Sequence, residues 1–199
     1  MNAFYRSLII ILSSCMLFIS CRPNVATPKP RGYARIDFPE NKNYIPFDNP
    51  DFPYSFLYAD MAKISQDTQL VKEENSPYWL NIDFPSYNAT IYLSYKEIKE
   101  EQSFDQLLDE SFRLSYKHDI KADFIHTPDF ITENGLLGIY YEVGGNTASN
   151  YQFMLSDTTK HFLRGALYFD VTPNVDSIRP VLNYLKEDME ILIESMKFY

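Results

Sequence analysis

The amino-acid sequence predicts an α+β fold in which an antiparallel β-sheet packs with two amphipathic helices. Residues 90–96 alternate between two sets of side chains, as expected for a strand with one buried face. Residues 137–171 contain three apolar segments joined by short polar connections, which favour antiparallel neighbours. Residues 178–196 carry apolar side chains at helical spacing. Together these patterns indicate a sheet covered by helices.

The first half of the chain contains mostly predicted strands. They cover residues 33–38, part of 54–64, 79–84 and 90–96. Tyr54, Phe56 and Tyr58 share one face of the second strand. Pro39 and Pro85 end two strands, because proline lacks the N–H group that a sheet requires. Residues 41–53 and 65–77 are predicted loops.

The predicted meander follows from residue 137 onward. Its strands cover residues 137–143, 148–155 and 162–171, and Gly144-Gly145-Asn146 supplies the first tight turn. Residues 156–160 supply the second turn. The preceding residues 121–134, interrupted by Pro128, fit neither a strand nor a helix clearly.

The first predicted helix begins after Ser103, with Gln106 as its capping-box partner, and ends near residues 116–118. Asp176 or Ser177 can cap the second helix, and Pro180 is placed in its first turn. The predicted buried face of this helix comprises Ile178, Val181, Leu182, Leu185, Met189, Leu192, Ile193 and Met196. Its predicted outer side comprises Lys186, Glu187, Asp188, Glu190 and Glu194.

The N-terminus has the pattern of an export signal. Arg6 precedes an uncharged apolar stretch, which is too short for the roughly 20 apolar residues of a membrane span. Phe18-Ile19-Ser20-Cys21 then resembles a bacterial lipobox, in which the cysteine is acylated before cleavage. Leu12-Ser13-Ser14-Cys15 also fits, but cleavage there would leave about five apolar residues ahead of it, fewer than a signal peptide needs. An uncleaved N-terminal anchor is the remaining alternative.

These features predict three segments. Residues 1–20 are a lipoprotein signal peptide, residues 21–32 a proline-rich tether that carries the lipid on Cys21, and residues 33–199 a single α+β domain. Both cysteines of the chain lie at or before the cleavage point, so the mature domain offers no thiol for catalysis, metal binding or a disulfide.

The net charge limits the partners of the domain. The chain has 18 Lys+Arg against 27 Asp+Glu, and a formal net charge of −9. An acidic surface repels phosphate backbones and anionic lipids, so we expect no nucleic-acid binding. We therefore expect membrane attachment to come from the N-terminal lipid.

No motif predicts catalysis or a cofactor. The sequence has no glycine-rich phosphate loop, no His-Glu-x-x-His and no Gly-x-Ser-x-Gly. His118, His126 and His161 are scattered rather than spaced as metal ligands, although His118 and His161 could meet in space. We expect a non-enzyme without cofactor or metal.

The most unusual segment is 160–165, which places cations on a strand of an acidic protein. Lys160, His161, Arg164 and Tyr168 are the candidate contacts for a partner or a ligand. Strand alternation places Arg164 on the face of Tyr168, opposite Leu163. The alternative is an arginine whose stem lies on aromatic side chains while its head is in water.

The chain resembles the GldD family of gliding-motility lipoproteins of the Bacteroidota. The resemblance rests on the order of seven segments: Cys21, residues 28–33, 36–37, 53–56, 81–85, 160–169 and 194–198. It implies a non-enzymatic envelope lipoprotein needed for gliding, a link to type IX secretion, and other lipoproteins and envelope proteins as partners. Only the lipidated cysteine transfers, onto Cys21. The order of elements also resembles the Mog1/PsbP-like sandwich, which is an analogy of fold alone.

Two further expectations concern place and alternative function. In the Bacteroidota acidic residues after the cysteine accompany export to the cell surface, and none follow Cys21 directly, so we expect an outer-membrane anchor facing the periplasm. The alternative function is a periplasmic binding module that holds a small anionic or glycan ligand near Arg164. An envelope hydrolase with an unrecognised carboxylate or histidine pair is a third hypothesis.

Overall fold

A computed structural model describes residues 35–73, 75–117 and 121–199. Its largest element within these ranges is an eight-stranded antiparallel sheet. Seven strands follow the spatial order β3-β4-β5-β10-β9-β8-β6, and β7 also pairs with β8. The strands are β3 (Lys63–Ser65), β4 (Leu80–Phe84), β5 (Ala89–Glu97), β6 (Ala122–His126), β7 (Asp129–Ile131), β8 (Leu137–Gly145), β9 (Tyr151–Ser156) and β10 (His161–Phe169). Strand β10 therefore lies in the middle of the sheet.

A second sheet and three helices complete the described part of the domain. The small antiparallel sheet has the order β1-β2-β11, formed by β1 (Tyr44–Phe47), β2 (Tyr54–Ala59) and β11 (Lys197–Phe198). The helices are α1 (Thr68–Glu73), α2 (Phe104–Tyr116) and α3 (Val175–Ser195). The predicted α+β class with antiparallel sheets is confirmed.

One face of the large sheet holds the main core. Helix α3 and the small sheet share a single buried cluster with this face, including Leu163 and Leu167 of β10 and Leu185 of α3. The predicted apolar stripe of α3 is buried from Val181 to Met196, and Ile178 is half-buried. Each fully buried aliphatic side chain contributes about 1.5–3 kcal/mol, so this stripe fixes α3 against the sheets.

Helix α2 covers part of the opposite face. Leu107 packs there with Phe162, Met154 and Ile139 in a second, smaller cluster. The capping box predicted at Ser103 is confirmed, since its hydroxyl accepts from the N–H of Gln106 and the Gln106 side chain accepts from the N–H of Ser103. The two faces of β10 therefore belong to different layers.

The structure corrects the strand prediction near residue 40. Residues 35–38 are not a strand, and β1 lies inside 41–53, which were predicted to be a loop. Pro46 argued against a strand in the sequence. Among the described residues β1 pairs with β2 alone, so it is an edge strand there, and an edge strand tolerates a proline. Helix α1 lies in the other predicted loop, and residues 121–134 form β6 and β7.

The beginning and outer face of α3 also differ from the prediction. Asn174, rather than Asp176 or Ser177, caps the helix by accepting from the N–H of Ser177. Pro180 is consequently the sixth residue of the helix and lies in its second turn. Asp188 was predicted to face solvent, but its side chain is only 2% exposed.

Candidate functional site

The four predicted contact residues do not form one cluster. His161 and Arg164 lie on opposite faces of β10, because their positions differ by an odd number. Tyr168 shares the face of Arg164, and its ring contacts Tyr92 edge to face at 5.7 Å between ring centroids. Lys160 precedes the strand, is exposed, and its Nζ donates to the carbonyl of Tyr199 at 3.3 Å. A contact role for these residues stays a prediction.

His161 is part of the main core, with 3% of its surface exposed. Its Nδ1 shares a hydrogen bond of 2.7 Å with the hydroxyl of Tyr95, and its ring stacks on Phe198 at 5.0 Å. Burial lowers the pKa of the His161 imidazole, which favours the neutral ring. These contacts give His161 a packing role at the junction of the two sheets. His118, which was expected to be able to meet it, lies outside the described residues, as does Cys21.

Arg164 is placed between Ser94 of β5 and Met154 of β9, beneath helix α2. Its Nη2 donates to Oε1 of Gln152. Its Nε is buried and has no hydrogen-bond partner within the described residues. Burial lowers the pKa of the guanidinium, although tyrosines 168 and 141 and Glu110 act in the opposite direction. The head of Arg164 is therefore held against the protein instead of extending into water.

Gln152 connects Arg164 to helix α2. Its side chain is completely buried, and Oε1 also accepts from the Ser115 hydroxyl at 3.0 Å. Ser111, one turn earlier, shares a hydrogen bond of 3.1 Å with Tyr141. Two small hydroxyl side chains on the inner face of α2 thus form a polar line over β8 and β9. Sequence analysis missed this line, although a glutamine inside the apolar run 151–155 and serines four residues apart were the available signals.

Two cavities meet at Arg164. The first, of ≈ 170 Å³, lies between α2 and the sheet and is lined by Trp79, Ser94, Lys96, Glu110, Phe162 and Arg164 among others. The second, of ≈ 240 Å³, lies further along the same face and is lined by Trp79, Asn81, Tyr92, Ser94, Arg164 and Tyr168 among others. Trp79, Ser94 and Arg164 line both. The binding-module hypothesis requires a large aromatic-lined pocket with Arg164 in its wall. Arg164 and aromatic side chains line both cavities, but neither cavity is large.

An ion pair stands beside the first cavity. Lys96 of β5 contacts Glu110 of α2 with 2.9 Å between Nζ and Oε2, and both side chains are about one-third exposed. This pair already balances the charge of Lys96. Arg164, by contrast, forms no salt bridge with any of the described residues.

A second buried polar cluster joins the N-terminal part of the domain to α3. Lys42 Nζ lies 3.1 Å from Oδ1 of Asp188 and donates to the carbonyl of Tyr184 at 2.5 Å. The hydroxyl of Tyr44 donates to the same Asp188 oxygen at 2.8 Å. Burial raises the pKa of Asp188, while Tyr44 and Lys42 lower it. Burial also raises the pKa of Tyr44, and the hydrogen bond to Asp188 adds to that increase.

The described residues contain no group of three or more His, Cys, Asp or Glu side chains arranged to hold a metal ion. Within the same residues no helix has both the length and the apolar character needed to cross a membrane.

Comparisons with known proteins identify a family. A search of curated proteins finds no match. Among solved structures, the solution structure of cyanobacterial PsbP (CyanoP) from Synechocystis sp. PCC 6803 matches 78% of this chain and 92% of its own, with 13% identity and a TM-score of 0.46. A family model described as gliding motility lipoprotein GldD matches residues 23–198. The chain therefore belongs to the GldD family of gliding-motility lipoproteins.

Proposed function

We propose that this lipoprotein is a non-enzymatic structural part of the cell envelope, which supports assembly or stability of the gliding apparatus and of the type IX secretion machinery linked to it. The observation that carries the proposal is membership of the GldD family over residues 23–198, nearly the whole chain. The family places the chain among lipid-anchored envelope proteins of the gliding machinery. Assembly and the link to secretion are our extension.

The attachment of the first described residues supports a structural role. Residues 35–43 lie close after the predicted tether, which ends at residue 32. Lys42 holds this segment to α3 through Asp188 and the carbonyl of Tyr184, and its Nζ lies 3.6 Å from the ring centroid of Tyr184. A pull on the N-terminal side would thus be transferred to the longest described helix.

The shifted pKa values of Asp188 and His161 are compatible with a non-enzymatic role. Asp188 has a raised pKa, but its carboxylate is committed to Lys42 and Tyr44 inside the fold. His161 has a lowered pKa, but its ring is bonded to Tyr95 and stacked in the core. Both groups therefore have structural reasons for their shifts, as ion pairs and buried hydrogen bonds commonly do.

The proposed partners are the membrane, through lipid on Cys21, and other gliding or secretion lipoproteins and envelope proteins. The proposed place is the outer membrane, with the domain facing the periplasm. The acidic net charge of −9 makes the polypeptide a poor ligand for anionic headgroups, so the lipid has to supply the attachment.

The experiment is complementation of a deletion strain of the source organism with the wild type, Cys21→Ala or Cys15→Ala. We expect deletion to stop colony spreading and to reduce secretion of type IX cargo. Cys21→Ala should fail to restore either activity and should leave the membrane fraction, whereas Cys15→Ala should behave as wild type. Cys15→Ala is the matched control, because it removes the other candidate lipobox cysteine.

Partners are tested by cross-linking envelopes and isolating the tagged protein. Motility or secretion lipoproteins should be recovered with the wild type and with Cys15→Ala, but not with Cys21→Ala. Normal spreading and secretion in the clean deletion would contradict the proposed function. Recovery of the same partners without the lipid would show that the anchor has no part in assembly.

A further inference from the structure

Arg164 is a part-buried cation without a matching anion among the described residues. A guanidinium has five N–H donors and no acceptor, so each donor needs an oxygen or a π-face nearby. Here one nitrogen donates to the neutral amide oxygen of Gln152, and the buried Nε has no hydrogen-bond partner within the described ranges. Buried charges in proteins are normally paired, because their desolvation is costly. Arg164 thus lacks the anionic acceptor that normally accompanies a desolvated charge.

The surrounding side chains hold this cation in place. Gln152 is completely buried, and its Oε1 is fixed between Arg164 and the hydroxyl of Ser115. Because arginine only donates, the amide oxygen of Gln152 has to face it, and this contact orients the guanidinium plane. Arg164 lines the cavities of ≈ 170 Å³ and ≈ 240 Å³ on the two sides of it. Arg164 is therefore a positioned hydrogen-bond donor in the wall of two half-open cavities.

The charge balance indicates the class of anion. Glu110 is the carboxylate of this region that acts on Arg164, but it is paired with Lys96 at 2.9 Å. Asp67, in the wall of the second cavity, accepts from the N–H groups of residues 69 and 70 at 3.0 Å with its Oδ1. Arg164 is thus a cation without an ion-pair partner among the described residues, and a single guanidinium matches a monoanion better than a phosphate dianion. A planar guanidinium also matches a planar carboxylate.

The shape of the cavities indicates what carries the carboxylate. Trp79 lines both cavities, Phe162 lines the first, and Tyr92 and Tyr168 line the second. Both volumes are below the roughly 300–1,000 Å³ of ordinary ligand pockets, so the ligand has to be small. Aromatic walls favour an apolar or aromatic stem, because such surfaces gain from burial of apolar area.

We propose that Arg164 and the two cavities beside it form a binding site for a small organic carboxylate with an aromatic or short apolar stem. Arg164 binds the carboxylate, Gln152 positions the guanidinium, and Trp79, Tyr92 and Tyr168 contact the stem. The site goes beyond the assembly role and stands or fails independently of it. Of the two ligand classes in the binding-module hypothesis, a small anion or a glycan, this site favours the anion.

The chain contains its own reporter for this site. Trp79 is its single tryptophan, and it lines both cavities. The lipidated protein, purified from membranes in a non-ionic detergent, is titrated with 4-hydroxyphenylacetate while Trp79 emission is recorded. The uncharged 4-hydroxyphenylacetamide, inorganic phosphate and glucose are titrated in parallel. We expect a saturable change with the carboxylate and none with the other three.

Two variants test the role of the cation. Arg164→Gln should weaken binding of the carboxylate by about ten- to a hundredfold, because a hydrogen-bonded charge is lost. Lys160→Gln removes the same charge four residues earlier and outside both cavities, so its affinity should stay within about twofold of wild type. Ser94→Leu keeps every charge but fills space opposite Arg164, and it should also weaken binding.

Three results would overturn the proposal. Equal binding of the amide and the carboxylate would replace the anion site by an apolar pocket and overturn the proposal. Equal affinities of Arg164→Gln and Lys160→Gln would do the same, as would a titration of the wild type without saturation. If Arg164→Gln does not fold, the comparison of carboxylate with amide on the wild type, together with Ser94→Leu, decides the question.

Discussion

The ion pair between Lys42 and Asp188 offers the sharpest test of how the domain is held together. The perturbation is Lys42→Met, which keeps most of the apolar stem and removes the charge. In the native domain the Lys42 and Asp188 side chains are 10% and 2% exposed, with 3.1 Å between Nζ and Oδ1. The substitution therefore leaves a buried carboxylate whose remaining hydrogen-bond donor in the described structure is Tyr44, at 2.8 Å.

The magnitude follows from the cost of an unpaired buried charge. Removal of one partner from a buried pair costs about 3–5 kcal/mol of unfolding free energy. Tyr44 still donates to the carboxylate, so we expect the lower end, about 3 kcal/mol. The double variant Lys42→Met/Asp188→Leu removes both charges and leaves mainly the Tyr44 hydroxyl without its acceptor, so it should cost only about 1 kcal/mol. The double variant should thus be more stable than the Lys42→Met single variant.

The assay is urea unfolding followed by Trp79 emission, with Lys63→Met as the matched control. Lys63 is exposed on β3, so its substitution should change the unfolding free energy by no more than about 0.5 kcal/mol. If Lys42→Met and Lys63→Met cost the same, Asp188 is not an uncompensated buried charge. A double variant no more stable than the Lys42→Met single variant would refute the reasoning equally.

The pair of Lys42 and Asp188 should make the stability of the domain depend on pH. Burial raises the folded-state pKa of Asp188, so the folded domain takes up this proton before the unfolded chain does. The stability from this group is complete below the ordinary aspartate pKa and is lost as pH rises through the folded value. Without the Lys42 cation the folded pKa rises further. The cost of Lys42→Met should therefore be largest at neutral pH and should shrink as acid protonates Asp188.

Three further predictions concern packing, capping and a buried histidine. Gly165→Ala would place a Cβ against the ring of Phe153 and should lower the unfolding free energy by about 1–3 kcal/mol. In the double variant with Phe153→Leu the two losses should be less than additive. Strictly additive losses in urea unfolding would contradict the clash. Ser103→Ala removes the capping hydroxyl of α2 and should cost about 0.5–2 kcal/mol, with an unchanged unfolding midpoint as the contrary result. Burial lowers the pKa of His161 in the folded state, so the unfolded chain binds this proton first. The wild type should therefore lose unfolding free energy as pH falls below about 6.5, the ordinary histidine value. His161→Gln should lose less over the same range.

Elements whose signals lie within a few neighbouring residues were predictable from the amino-acid sequence. Ser103 and Gln106 are three residues apart, so the capping box could be predicted from sequence. The apolar stripe of α3 and the alternation of Ile91, Leu93 and Tyr95 likewise depend on spacing within one element. Family membership was also accessible from sequence, because the order of several short segments extends over most of the chain.

Which polar side chains are buried, and with which partners, depends on how distant elements pack together. Asp188 has the same local pattern as its exposed neighbour Glu187, but Lys42, far away in the sequence, reaches it across the fold. Arg164 and Gln152 lie on neighbouring strands, and the serines of α2 meet them only because the helix packs over that part of the sheet. Local propensity and periodicity contain no information about such contacts, since these depend on how separate elements are placed in space.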